Sequence, residues 1–183
     1  AWARERAERG GWADRADFHL CDYRDVRGSY DHIVSIEMME AVGERFWPGY
    51  FAQLHDSLKP GGSVLVQSIT IADELFASYR KGTDFIQRYV FPGGMLPSPA
   101  VAARKAAVAG LRQVDDIAFG LDYAETLVRW RDAFEARLED VRALGYDERF
   151  IRLWRFYLAY CEAGFRAGTV DVHQFHFRHG DAR

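Results

Sequence analysis

Cysteine is scarce in this sequence: Cys21 and Cys161 lie far apart, in no CxxC pair, within 183 residues. That spacing argues against a disulfide framework or a thiolate zinc site and makes a reduced, cytoplasmic compartment the expectation. No apolar run approaches the roughly 18 residues a membrane span needs, and "AWARERAERGGW" has no signal-peptide apolar region. A strong excess of either charge is missing too. Lys and Arg number 24 against 27 Asp and Glu, a net charge of -3 that gives no electrostatic footprint for nucleic acid. GxGxxG, GxxxxGK[ST] and GxSxG are all absent, so nucleotide hydrolysis and a serine-hydrolase elbow have no support.

Hydrophobic residues at 49% and charged residues at 28% fit one ordinary globular domain. Aromatics at 15% provide either a heavy core or the walls of an apolar ligand site. The opening residues read as a helix entered midway and ending at Gly10-Gly11, as in a fragment of a longer chain. "ADFHLCD" (16–22) reads as a strand. "YDHIVSI" (30–36) reads as a second strand, its solid apolar end predicting burial on both faces. Residues 44–58 form an amphipathic helix through Phe46, Tyr50, Phe51, Leu54 and Leu58, stopped by Pro60-Gly61-Gly62, and "SVLVQSITI" (63–71) is a third strand. A connector over 72–98 ends in "FPGGMLPSP", too rich in Pro and Gly for regular structure. Then come a helix over 98–109, a strand over 111–119, a helix opened by an Asp122/Glu125 capping box, a helix from Asp147 and a strand over 170–177. This alternation predicts an α/β fold.

In open α/β sheets ligands bind beyond the carboxyl ends of parallel strands. Two such ends carry acids here: "LCDYRD" (20–25) and "SIEMMEAVG" (35–43). Either the chain is turning to solvent at those points or the acids meet a ligand. His173, His176 and His179 are three apart on a strand, so successive rings point to opposite faces and a shared metal is not expected. The stripe of Phe150, Trp154, Tyr157, Cys161 and Phe165 reads as core packing or as the lining of an apolar tunnel.

"DYRDV", "YDHIVSIEMMEAVG", "YFAQLHDSLKPGG", "DFIQRYVFPGGMLPS", "DYAETLVRW" and "CEAGFRAGTVDVHQFHF" occur in this order. Together they resemble the cyclopropane-fatty-acyl-phospholipid synthase and mycolic-acid cyclopropane synthase family, across essentially the whole chain. The resemblance implies a class I methyltransferase (Rossmann-like) sheet with helices on both faces. It places the family's glycine-rich first strand, its ribose-binding acid and its N-terminal cap, with a bicarbonate-binding cysteine, before Ala1. The first two strands would then be missing from between the 16–22 and 30–36 strands. A chain of 1–183 is accordingly expected to be a partial S-adenosylmethionine-dependent methyltransferase domain, to fold poorly and to hold cofactor weakly. The 72–98 insert and the helices within 122–167 would form the acyl-substrate side.

The implied reaction is attack of a cis-alkene on the sulfonium methyl of S-adenosylmethionine, followed by proton loss from the resulting cation. The resemblance makes bicarbonate the base. Glu40 corresponds to the carboxylate accepting its hydroxyl, Tyr123 to a residue holding it, Ile69 to a backbone contact. Gln67 stands where well-known members have histidine; its amide can donate a hydrogen bond but cannot become cationic, which leaves the product open. Tyr23 and Arg24 would flank the adenine, with Asp22 accepting from its amino group, and Ile36 and Glu37 would lie beneath the sulfonium. Phe91, Leu96, Leu127, Tyr157 and Cys161 would line the acyl pocket, with Cys161 a wall residue rather than a nucleophile.

The expected substrate is an unsaturated acyl chain of a membrane phospholipid, reached by transient membrane-surface contact through the loop 91–96. The protein would be cytoplasmic and peripheral to the membrane, with a homodimer as one assembly. The product is a cyclopropane ring or, by a different fate of the same cation, a methyl or methylene branch. A non-catalytic lipid-binding remnant is the alternative from another class.

Overall fold

Side-chain alternation along one long strand sets the architecture. In the computed structural model, which describes residues 1–180, Val64, Val66, Ser68 and Thr70 point to one face of a sheet and are buried, while Leu65, Gln67 and Ile69 point to the other. The strands are β1 (Tyr30–Ile36), β2 (Leu58–Ile71), β3 (Leu111–Ala118) and β4 (Val170–His179), in the order β1-β2-β4-β3. β1 runs parallel to β2; β4 is antiparallel to both β2 and β3. The register sets Gln67 opposite Gln174 and Ile69 opposite Val172 on one face, Val66 opposite Phe175 and Val64 opposite Phe177 on the other.

The helices are α1 (Trp2–Arg9), α2 (Met39–Val42), α3 (Trp47–Asp56), α4 (Asp73–Tyr79), α5 (Phe85–Tyr89), α6 (Pro99–Val108), α7 (Gly120–Glu135), α8 (Leu138–Ala143) and α9 (Glu148–Arg166). Helices α3 and α6 cover one face. Their Trp47, Tyr50, Phe51, Leu54, Val101, Ala102 and Ala106 bury Val64, Val66, Phe175 and Phe177. The pair α7 and α9 covers part of the other, joining Ala124, Leu127, Leu158 and Phe165 to Val172. Two of these helices, α6 and α9, start at a local cap. Ser98 accepts from the Val101 N–H ahead of a proline at the mouth of α6, and Asp147 accepts from the Phe150 N–H at the mouth of α9.

Four expectations need correction. Residues 16–22 form no strand, and Leu20 is fully exposed. A strand needs a neighbour for its N–H and C=O groups, and among the described residues none lies beside this segment. β2 begins at Leu58, not 63: Leu58 pairs with Tyr30, and Pro60–Gly62 forms an irregularity before His32 meets Ser63. Gly62 is required there, because a Cβ would sit 2.5 Å from the Asp31 carbonyl oxygen. The 72–98 connector contains α4 and α5, the latter closed by a reciprocal capping box between Asp84 and Gln87. Finally, Asp122 caps nothing. α7 begins two residues earlier at Gly120, whose N–H donates to Asp171 Oδ1 at 2.7 Å, so the cap comes from β4.

Candidate active site

The carboxyl ends of the parallel strands β1 and β2 open onto a cavity of about 580 Å³. Its walls include Ile69 and Ile71 of β2, Phe91, Met95 and Leu96 of the loop after α5, and Tyr157, Cys161 and Phe165 of α9. The walls are mostly apolar; the acids on them are Glu37, Glu40 and Asp84, and among the described residues no lysine, arginine or histidine contributes. The loop is tied down at two points. Met95 N–H donates to the Glu40 carbonyl at 3.0 Å, and Gln87 Nε2 donates to the Gly94 carbonyl at 3.1 Å. Burial pushes the Cys161 thiol up to about 12, which suits a wall residue and not a nucleophile.

Glu37 stands at the tip of β1 with φ of +51°, the one non-glycine residue with positive φ among those described. Its N–H donates to the Gln67 carbonyl at 2.8 Å. Its carboxylate collects three contacts from two donors: Tyr123 Oη to Oε1 at 3.0 Å and to Oε2 at 3.3 Å, and Gln67 Nε2 to Oε1 at 2.9 Å. Gln67 is itself oriented by Gln174 Nε2, which donates to Gln67 Oε1 at 2.9 Å. The Tyr123 phenol is raised by burial and by Glu37, so it stays a proton donor.

Glu40, in the first turn of α2, differs in kind. It is 9% exposed, its Oε1 accepts from the Ile69 N–H at 2.5 Å, and its Oε2 is buried with no partner. Burial raises its carboxyl to about 7, with neighbouring Glu37 acting in the same direction.

The remaining expected residues fall in three places. Phe91, Leu96, Tyr157 and Cys161 are on the cavity wall, whereas Leu127 is buried in the α7–α9 core and does not line it. Tyr23 packs edge-on against Tyr50 with ring centroids 6.0 Å apart. Asp22 accepts from the Arg24 N–H and forms a fork with its guanidinium at 2.9 and 2.7 Å, which holds the carboxyl down at about 2. Ile36 is exposed at the tip of β1. His173 pairs with Asp116, and His179 Nε2–H donates to the Leu58 carbonyl at 2.9 Å; no three-residue metal cluster exists among the described residues.

A bicarbonate ion fits these residues poorly. The Ile69 N–H is spent on Glu40, and the Tyr123 hydroxyl and one N–H of the Gln67 amide are spent on Glu37. An anion here would face the Glu37 carboxylate with no cation among the described residues of the wall to offset it. Sequence reasoning missed Gln174 and the aromatic pair Tyr79 and Tyr160 on the wall. The alternation of 170–177 put Gln174 on a face, but only the register to β2 reveals its partner.

The strand order and the site beyond the strand ends define a class I methyltransferase fold. A crystal structure of a mycolic acid cyclopropane synthase in complex with SAH and CTAB superposes with a TM-score of 0.78 at 29% identity, over 87% of this chain and 59% of that one. The mycolic acid cyclopropane synthetase family matches residues 1–175, and the chain belongs to that family. A tuberculostearic acid methyltransferase of Mycobacterium tuberculosis is 48% identical over 94% of this chain and 41% of its own length. A cyclopropane-fatty-acyl-phospholipid synthase of Escherichia coli is 36% identical over 88% of this chain and 41% of its own. The chain thus spans about two fifths of the length of these curated relatives.

Proposed function

We propose that the protein transfers the methyl group of S-adenosylmethionine to the double bond of an unsaturated fatty-acyl chain. The observation that carries this reading is the apolar, cation-free cavity of about 580 Å³ whose polar end holds Glu37 and Glu40 at the carboxyl ends of β1 and β2. S-adenosylmethionine supplies an electrophilic methyl group. In this reading Tyr23, Arg24 and Ile36 hold the adenosyl portion, Asp22 fixes the Arg24 fork, and Phe91, Leu96, Tyr157 and Cys161 hold the acyl chain. The aromatic wall and the acids together stabilise positive charge developing on the chain, in a pocket that excludes water.

The product follows from how that cation loses a proton. A methyl or methylene branch is favoured by the relative at 48% identity, which is named a methyltransferase; a cyclopropane ring is the outcome named for the relative at 36%. The acyl chain is carried by a membrane phospholipid, and the exposed Phe91 makes the surface contact. No helix among the described residues is long and apolar enough to cross a membrane. Incubation with methyl-labelled S-adenosylmethionine and vesicles of unsaturated phospholipid, followed by NMR of the recovered acyl chains, tests the proposal. Label in the lipid supports it and the resonances separate ring from branch; unlabelled lipid overturns it.

A further inference from the structure

We infer that the Glu37 carboxylate is the base that removes the proton from the methylated acyl chain, so that this protein carries its own base and needs no bicarbonate ion. The inference rests on the methyl-transfer reading above and deepens it.

Three observations converge on Glu37. The first is the direction of the hydrogen bonds. The side-chain donors around Glu37, Tyr123 Oη and Gln67 Nε2, both point at its carboxylate, and Gln174 locks Gln67 in that orientation. A free anion beside Glu37 would have to compete with its carboxylate for them. The second is the charge of the wall. Glu37, Glu40 and Asp84 are the acids on the wall and no Lys, Arg or His among the described residues joins them, so the cavity offers an added anion no cationic partner. The third is the backbone. A positive φ at a non-glycine residue is unfavourable, and such outliers persist where the surroundings over-determine them. Here the Gln67 carbonyl takes the Glu37 N–H while the Gln67 amide takes its carboxylate, a two-point clamp that aims the side chain into the cavity.

The step balances without another reactant. The alkene π pair forms the bond to the methyl carbon as the S–CH₃ pair stays on sulfur, and the positive charge passes to the acyl chain. Glu37 then accepts a proton from the new methyl group. The C–H pair left behind closes the ring or, after a hydride shift moves the charge to the methylated carbon, becomes the second bond of a C=CH₂ branch. The carboxyl returns its proton to solvent on product release. Gln67 and Gln174 are positioning residues for this base.

The test combines a binding readout with an activity readout. Titration of the purified protein with ¹³C-bicarbonate, followed by NMR line width, is expected to show no binding. Methyl transfer in carbon-dioxide-free buffer is expected to match that with added bicarbonate within about twofold. Glu37→Gln, which keeps the side-chain shape, is expected to lose about 10²-fold or more in turnover, the range of a general base, with no rescue by bicarbonate. Glu37→Gly accepts the left-handed backbone and frees Tyr123 and Gln67, so it is expected to gain bicarbonate binding. Bicarbonate binding to the unsubstituted protein, or a Glu37→Gln variant with retained turnover, overturns the inference. Absence of methyl transfer from every variant would sink the lipid-methylation reading, while the binding titration still decides whether Glu37 excludes the ion.

Discussion

Glu37 and Glu40 are three residues apart and have opposite surroundings: two side-chain donors surround the first, while one backbone N–H and an unpartnered oxygen define the second. The consequence for Glu40 can be worked out with its sign. The folded chain keeps the Glu40 proton up to about pH 7, whereas an unfolded carboxyl releases it near 4.5. The folded pKa is raised, so the contribution to stability is full below 4.5 and is lost as pH rises through 7. The loss amounts to about 3 kcal/mol. Urea unfolding of Glu40→Gln beside the unsubstituted protein at pH 5 and pH 8 is expected to show the variant gaining relative stability at pH 8; a pH-independent difference would contradict the assignment. Cysteine reactivity gives a second residue-scale check. Cys21 is exposed, while Cys161 lies in the wall with its thiol raised to about 12. Iodoacetamide at pH 8, followed by mass spectrometry, is expected to modify Cys21 rapidly and leave Cys161 largely unmodified.

Between residues and the whole fold, the elements show where sequence is informative. α3, α6, α9 and the strands β1 to β4 were legible because apolar period, Pro and Gly punctuation and local caps such as Asp147 all act within a few residues. The start of α7 was not, because its cap is Asp171, 51 positions away on β4. The Gln67–Gln174 contact, 107 positions apart, was hidden for the same reason. The segment 16–22 has strand composition without strand neighbours, so local propensity alone misassigned it. At the site, Glu37, Glu40, Gln67 and Tyr123 stood out from sequence, but which of them bind one another required the register. Removing the remote cap tests the α7 account: Asp171→Ala is expected to cost about 1 kcal/mol in urea unfolding, and Asp171→Asn about half of that or less, since its amide oxygen can still accept.

At the scale of the molecule, β1 pairs with β2 along one side only, and no strand flanks its other side among the described residues. Val34 is 64% exposed and Ile36 53%, on a strand whose composition suits burial. An open parallel edge with exposed apolar side chains invites pairing with other chains. A polypeptide of these 183 residues is expected to self-associate with rising concentration and to unfold at low temperature, read by sedimentation velocity and circular dichroism. A monodisperse, heat-stable monomer would contradict this.

The left-handed backbone at Glu37 also has an evolutionary consequence. Glycine codons GGA and GGG become glutamate codons by one base change, and glycine is the residue that such a backbone accommodates most readily. A lineage could therefore move between a site that borrows its base from dissolved carbonate and one that encodes it, in one mutational step and without rebuilding the turn. Dependence on a dissolved ion would then be a readily reversible trait within this fold, set by one nucleotide at the end of one strand.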